Sequence, residues 1–203
     1  MTYKGIGEYR AITLTTGIDA KTGTSGNDTF IGSFDGAATS TSNLGDTIDG
    51  GAGTDTVRIT SNAAATVIPT LTNVEILEII DTVHESQNVS TIAGLTKLHQ
   101  QGGTTIAAGT ITNTLAAGQT LSLQGITDGD GTADAGTDGE IVIASAASVT
   151  SVDLALNGVG AQTGATALTD LDLDVSGTGV ATVNVTSTGT NNISLSNSGG
   201  AIT

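Results

Sequence analysis

The chain has 203 residues, of which 20 are acidic and 5 basic, for a formal charge of −15 at pH 7. That imbalance argues against nucleic acid and anionic membrane surfaces as partners, because both attract Lys and Arg. The absence of cysteine excludes disulfides, thiolate metal sites and cysteine catalysis. Threonine is the commonest residue at 38, glycine follows at 29, and the aromatics, Tyr3, Tyr9, Phe30 and Phe34, all precede residue 35. β-Branched residues between glycine turns favour strands. A core without rings must be thin and aliphatic, which suits a solenoid better than a globular sandwich.

Residues 1–22 read as an N-terminal lead-in with one strand at Ala11–Thr16. The opening MTYKGIGEYR lacks the apolar segment of a signal peptide, and no stretch is long enough to span a membrane. An exported form would therefore use a non-classical address or one outside this sequence.

Residues 23–60 carry two glycine–aspartate phrases, GTSGNDTFI at Gly23–Ile31 and DTIDGGAGTDTVR at Asp46–Arg58. Both fit the nonapeptide G-G-x-G-x-D-x-U-x, whose turns bind Ca²⁺ in a parallel β-roll. The second fills every defined position with Gly50, Gly51, Gly53, Asp55 and Val57. The first has Gly23, Gly26, Asp28 and Phe30 in register, with Thr24 in the second glycine's place. The chemistry follows from the ion. Ca²⁺ takes six to eight oxygens, many of them carbonyls, and a turn that aims carbonyls inward needs backbone angles that glycine visits freely. One aspartate per turn adds a carboxylate, and the apolar residue two places later starts a strand. The same residue types also serve metal-free tight turns. The eighteen-residue step from Asp28 to Asp46 allows them to share one side of a roll whose turns alternate every nine residues. The intervening SFDGAATSTSNLG reads as a loop.

Residues 61–203 are expected to form a threonine- and glycine-rich β-helix. The strands expected are Val74–Ile80, Leu95–Leu98, Leu121–Leu123, Ile141–Ile143, Val152–Leu156, Leu171–Val175, Val183–Val185 and Ile193–Leu195. Alternation with period two puts Leu171, Leu173 and Val175 on one face, and Asp172 and Asp174 on the other. Asp153, Asp170, Asp172 and Asp174 are expected on solvated outer faces. The segment TLTNVEILEIIDTVHESQ also carries a helical stripe of Leu71, Val74 and Leu77, but ILEII favours a buried strand. The expected class is all-β, a parallel β-solenoid with calcium-binding turns. An antiparallel β-sandwich is the alternative that turn signals every 8–12 residues would also allow.

The acidic stretch Asp128–Glu140 reads as a loop between strands. Asp128 and Asp130 would occupy positions 1 and 3 of an EF-hand, but glycine is missing from position 6 and glutamate from position 12. An irregular calcium loop using Asp128, Asp130 and Asp134 stands beside a mobile acidic loop as the two readings. His84 and His99 lie outside any HExxH spacing and read as surface residues. No GxSxG elbow or phosphate loop is present. No catalytic set is expected.

With GTSGNDTFIG, LGDTIDGGAGTDTV and PTLTNVEILEI, the chain resembles the RTX-like calcium-binding surface-layer proteins and large adhesins of Gram-negative bacteria. The resemblance is specific over residues 14–80 and compositional from 81 to 203. It implies a right-handed β-solenoid, type I secretion to the cell surface, and calcium-dependent assembly with itself into a two-dimensional lattice. It also implies ligands: carboxylates of Asp28, Asp46 and Asp55, with Asp49 as an addition, and oxygens from Gly26, Asn27, Gly51 and Gly53. SNSGGAIT at the end looks like mid-repeat text, as in part of a longer protein. The runner-up is an adhesin or biofilm-matrix module that binds a cell-surface polysaccharide. The third class is the calcium-binding appendage of a secreted hydrolase.

Overall fold

The computed structural model describes residues 9–63, 66–82, 84–103, 110–127, 140–160 and 171–199. Sixteen strands, and no helix, form among them. In chain order they are β1 Ala11–Thr13, β2 Ala20–Thr22, β3 Thr29–Phe34, β4 Thr47–Asp49, β5 Thr56–Ser61, β6 Thr70–Thr72, β7 Ile76–Asp81 and β8 Gln87–Asn88. There follow β9 Lys97–Gln101, β10 Thr110–Leu115, β11 Thr120–Gln124, β12 Glu140–Ser145, β13 Ser151–Asn157, β14 Leu171–Val175, β15 Thr182–Thr188 and β16 Ile193–Ser196.

The odd strands make one eight-stranded sheet in numerical order. The even strands make a three-stranded sheet, β2-β4-β6, and a five-stranded sheet, β8-β10-β12-β14-β16. Ladders in all three sheets are parallel. Each coil thus lays one odd and one even strand, and its neighbours in space are the coils before and after it. This is a parallel β-solenoid, and the antiparallel sandwich is excluded. The eight-stranded sheet crosses the boundaries expected near residues 22 and 60. TLTNVEILEIIDTVHESQ contributes strands β6, β7 and β8 rather than a helix.

Period-two alternation explains the core. One inward column runs Phe30, Val57, Leu77, Leu98, Leu121, Leu154 through successive ladder partners. A second runs Gly32, Ile59, Ile79, Gln100, Leu123, Leu156. All the apolar members of both are buried. Burial of each Leu or Ile contributes about 1.5–3 kcal/mol. Leu14 reaches over Gly32, where an added Cβ would lie 2.9 Å from its Cδ1; the glycine makes room for it.

Two outward aspartates behave as read, and one does not. Asp153 and Asp172 are half-buried, whereas Asp174 is 4% exposed. Its carboxylate accepts Ser196 Oγ and the Ser198 N–H at 2.8 Å each, and the Ser198 hydroxyl as well. The next coil folds over it and supplies donors. Burial opposes its ionisation, but the Ser198 and Ser196 bonds hold its carboxyl below the usual range. Asp170, and the proposed loop ligands Asp128, Asp130 and Asp134, lie outside the described residues.

Candidate metal-binding turns

Two columns of acidic residues stack at the turns ahead of the strands. Ahead of the odd strands, the Arg10 N–H donates to Asp28 Oδ1 at 2.8 Å, the Asp28 N–H to Asp55 Oδ1 at 2.6 Å, and the Asp55 N–H to Glu75 Oε2 at 2.7 Å. Each step links one coil to the next, over 18, 27 and 20 residues. Ahead of the even strands, the Asp19 N–H donates to Asp46 Oδ1 at 2.8 Å, also over 27 residues. Each of these carboxylates therefore caps the backbone of the coil before it.

The spacing read from sequence misassigns one pair. Asp28 and Asp46 do not share a side: Asp28 stacks with Asp55, and Asp46 with Asp19. The cause is the loop at 35–46. Asp35 organises it by accepting the Ala37 N–H at 2.9 Å and the Ser40 hydroxyl at 2.6 Å. That loop lengthens the coil from 18 to 27 residues and shifts the count by one half-turn.

The two glycine–aspartate phrases lie one above the other, since Thr29 pairs with Thr56 and Phe30 with Val57. Their glycines have the same surroundings. A Cβ on Gly23 would lie 2.0 Å from the Gly50 carbonyl oxygen and 2.7 Å from Asp28 Oδ2. A Cβ on Gly50 would lie 1.9 Å from the Asn73 carbonyl oxygen and 2.7 Å from Asp55 Oδ2. In both coils a carbonyl and a carboxylate oxygen face the same bare Cα. Gly51 and Gly53 have φ of +94° and +138°, which L side chains resist. A Cβ on them would meet the carbonyl oxygens of Thr24 at 2.3 Å and Gly26 at 2.7 Å. Asn27 Oδ1 accepts the Thr54 N–H at 2.9 Å. Asp49 Oδ1 accepts from Gly51 N–H at 3.1 Å and from Asn73 Nδ2 at 2.8 Å.

Satisfaction separates the carboxylates. Asp28 also accepts the Thr24 N–H on Oδ2, Asp46 Oδ2 accepts the Asn43 N–H at 2.7 Å, and Asp19 Oδ2 accepts the Thr15 N–H at 2.5 Å. Burial works against ionisation of Asp28 and Asp19. Hydrogen bonds from Thr24 and Arg10 outweigh it for Asp28, as do Thr15 and Lys21 for Asp19, so both carboxyls stay below the usual range. Asp55 differs. Its Oδ2 is buried and has no hydrogen-bond partner. Burial first, then the negative charges of Glu75, Asp28 and Asp49, push its carboxyl up. A buried carboxylate with a free oxygen and like-charged neighbours needs a proton or a cation.

Among the described residues no cluster of three or more His, Cys, Asp or Glu side chains is arranged to hold a metal. Side-chain convergence of Asp28, Asp46 and Asp55 on one point, as the ligand list would suggest, is not seen. Beside Gly50, the unpartnered Asp55 Oδ2 and the Asn73 carbonyl are oxygens of the kind a hard cation accepts; beside Gly23, the equivalent Asp28 Oδ2 is occupied by the Thr24 N–H. Sequence reading missed Asp19 and gave no role to Glu75. Asp19 keeps only the glycine two places ahead of it, Gly17, without the leading glycine pair, and lies nine residues before Asp28. Glu75 follows Asp55 by 20 residues, off the nonapeptide count. No family model and no curated protein sequence matches the chain.

Proposed function

We propose that this protein is a calcium-stiffened structural scaffold of the bacterial cell exterior that assembles with copies of itself into a surface layer. The observation that carries the reading is the unpartnered, buried Asp55 Oδ2, set beside a carbonyl in a turn that repeats one coil away. Ca²⁺ would supply positive charge to a column of Asp28, Asp55 and Glu75, with Asp49 beside it, where no ion pair reaches any of them among the described residues. The residues do the rest. The stacked carboxylates fix the spacing between coils through backbone N–H groups, and the glycines keep the carbonyls close.

The long parallel sheets give a rigid, elongating architecture of the kind a scaffold needs. Secretion by a type I apparatus belongs to this reading, and no enzymatic role does.

Chelator titration tests it. Excess EDTA should lower the melting temperature, expose the turns to protease and dissolve ordered arrays seen by electron microscopy, with calcium restoring all three. Unchanged melting, proteolysis and assembly in EDTA would sink the calcium mechanism. A protein that stays monomeric with calcium and binds cell-surface polysaccharide would favour the adhesin module.

A further inference from the structure

The middle of the solenoid contains a second buried polar cluster, remote from the glycine–aspartate turns. It sits at the opposite end of strand β7, where the three-stranded sheet gives way to the five-stranded one. Asp81 is 5% exposed, and neither carboxylate oxygen has a hydrogen-bond partner. Its ladder neighbour Ser61 is 1% exposed, and Ser61 Oγ is unpartnered too. Glu85 is 6% exposed and accepts from Thr66, through its hydroxyl and its backbone N–H. Gly103, at φ +85°, lets the chain pass close: a Cβ there would lie 3.1 Å from Asp81 Oδ1 and 3.4 Å from the Asp81 carbonyl oxygen.

Asp81 and Glu85 are near enough for the Glu85 charge to act on Asp81, and two buried carboxyls without a cationic partner are costly. The ion pairs among the described residues, Lys21–Asp19 and Arg58–Glu78, lie elsewhere. We propose that Ser61, Asp81 and Glu85 form a second cation site that takes a hard divalent ion of the calcium class. The two carboxylates would neutralise its charge, and the Ser61 hydroxyl and the Asp81 carbonyl are neutral oxygens of the kind such an ion accepts. No third His, Cys, Asp or Glu converges with them among the described residues. That favours an ion that fills its shell with neutral oxygens and water over zinc, which wants four N, S or carboxylate ligands. His84 is fully buried, with both ring nitrogens unpartnered. Burial lowers its basicity to a pKa of about 4.

The site does not rest on the proposed function, and the two are separable by variants. Calcium binding by titration calorimetry, and melting with calcium or with EDTA at about pH 8, would be measured for wild type, Asp81→Asn and Asp55→Asn. Asp81→Asn should remove one binding class, or weaken it at least about tenfold, while Asp55→Asn leaves that class intact. Melting should cross over: Asp81→Asn melts above wild type in EDTA, because a buried charge is gone, and below it in saturating calcium. If Asp81→Asn melts higher under both conditions with unchanged calcium stoichiometry, the corner holds only a proton and the proposal fails. Loss of all calcium binding in Asp55→Asn alone would also overturn it, while leaving the scaffold reading intact. Should Asp81→Asn not fold, Glu85→Gln and Ser61→Ala give the same test. Both should weaken the same class, and no weakening in either counts against the site.

Discussion

At the scale of single residues, the protein uses the same side chain for two opposed tasks. Asp19, Asp28 and Asp174 are carboxylates surrounded by donors and held below the usual range. Asp55, Asp81 and Glu85 are carboxyls short of donors and pushed up, the last two to about 7. The first group contributes stability above an unfolded pKa of about 4, lost as pH falls through the lower folded values. The second contributes stability that is complete below about pH 4 and is lost as pH rises through the higher folded values, toward 7 for Asp81 and Glu85. His84 opposes this second group: buried neutral, with its pKa near 4, its contribution is complete above about 6.5 and is lost as pH falls toward 4. Between about pH 4.5 and 6.5 Asp81 and Glu85 outweigh His84 by roughly one proton, a slope of about 1.4 kcal/mol per pH unit, to which the raised Asp55 adds and from which His99, lowered by burial, subtracts. Urea unfolding in EDTA should therefore show stability falling from pH 5 to 7, with calcium flattening the fall. A rise over that range in EDTA would contradict the burial of these groups. A second expectation concerns Gly50. Its added Cβ would meet the Asn73 carbonyl at 1.9 Å and Asp55 Oδ2 at 2.7 Å. Gly50→Ala should cost about 3 kcal/mol or more in urea unfolding, an effect of the size reserved for steric and strain defects. Gly94→Ala is the control for strain without a clash, since Gly94 has φ +84° but nothing within 4 Å of the added Cβ; its cost should be about 1 kcal/mol.

At the scale of elements, what the sequence disclosed depended on whether polarity and burial agreed. Strands β13 and β14 were legible because Val152, Leu154 and Leu156, and Leu171 and Leu173, alternate cleanly and are buried. Strand β10 was not, since TITNTL places Asn113 in the core. Strands β2, β4 and β6 have three residues each, and β8 two, too short for any period to register. The acidic columns were half legible. Glycine spacing reveals Asp28 and Asp55, Asp19 carries a weaker trace of it in Gly17 and the nine-residue step to Asp28, and only inter-coil register reveals Glu75. Nor could composition show that His84 is buried. Strands β9 and β10 also hold a polar bridge across the core. Asn113 Nδ2 donates to Gln100 Oε1 at 2.8 Å, and Gln100 Nε2 to the Glu85 carbonyl at 3.2 Å. Gln100 sits in a column between Ile79 and Leu123, so an aliphatic side chain suits the space. Gln100→Leu or Asn113→Ile alone strands a buried partner and should cost about 1–3 kcal/mol. The double variant should recover the part of that loss due to the Asn113–Gln100 bond, because neither of those side chains then strands the other, while the loss of the donor to the Glu85 carbonyl remains. Additive losses in the cycle would show that the bridge is not coupled.

For the whole molecule, connectivity decides how far a perturbation travels. Among the described residues the ladders join each coil to the coils before and after it, so stability is a chain of local interfaces and not one shared core. The acidic turn columns occupy the first half, from Asp19 to Glu75, and the Asp81 corner closes it. The second half, from Thr110 onward, packs on aliphatic columns such as Ile111, Ile141 and Leu173. Removing calcium should therefore loosen one half and spare the other. Amide hydrogen exchange with and without EDTA reads this directly, because each strand reports its own opening free energy. We expect protection to drop in β3, β4, β5 and β7, whose coils are tied at Asp28, Asp46, Asp55 and Glu75. Strands β12, β13 and β14 should exchange at nearly the same rate in both conditions. Strands β15 and β16 are largely exposed and should exchange early in either. A uniform loss of protection that includes Ser151–Asn157 would mean that the coils unfold as one cooperative unit, and stacking interactions would then have to carry the calcium effect across every ladder. Equal protection throughout would instead place the calcium-sensitive energy outside the turns.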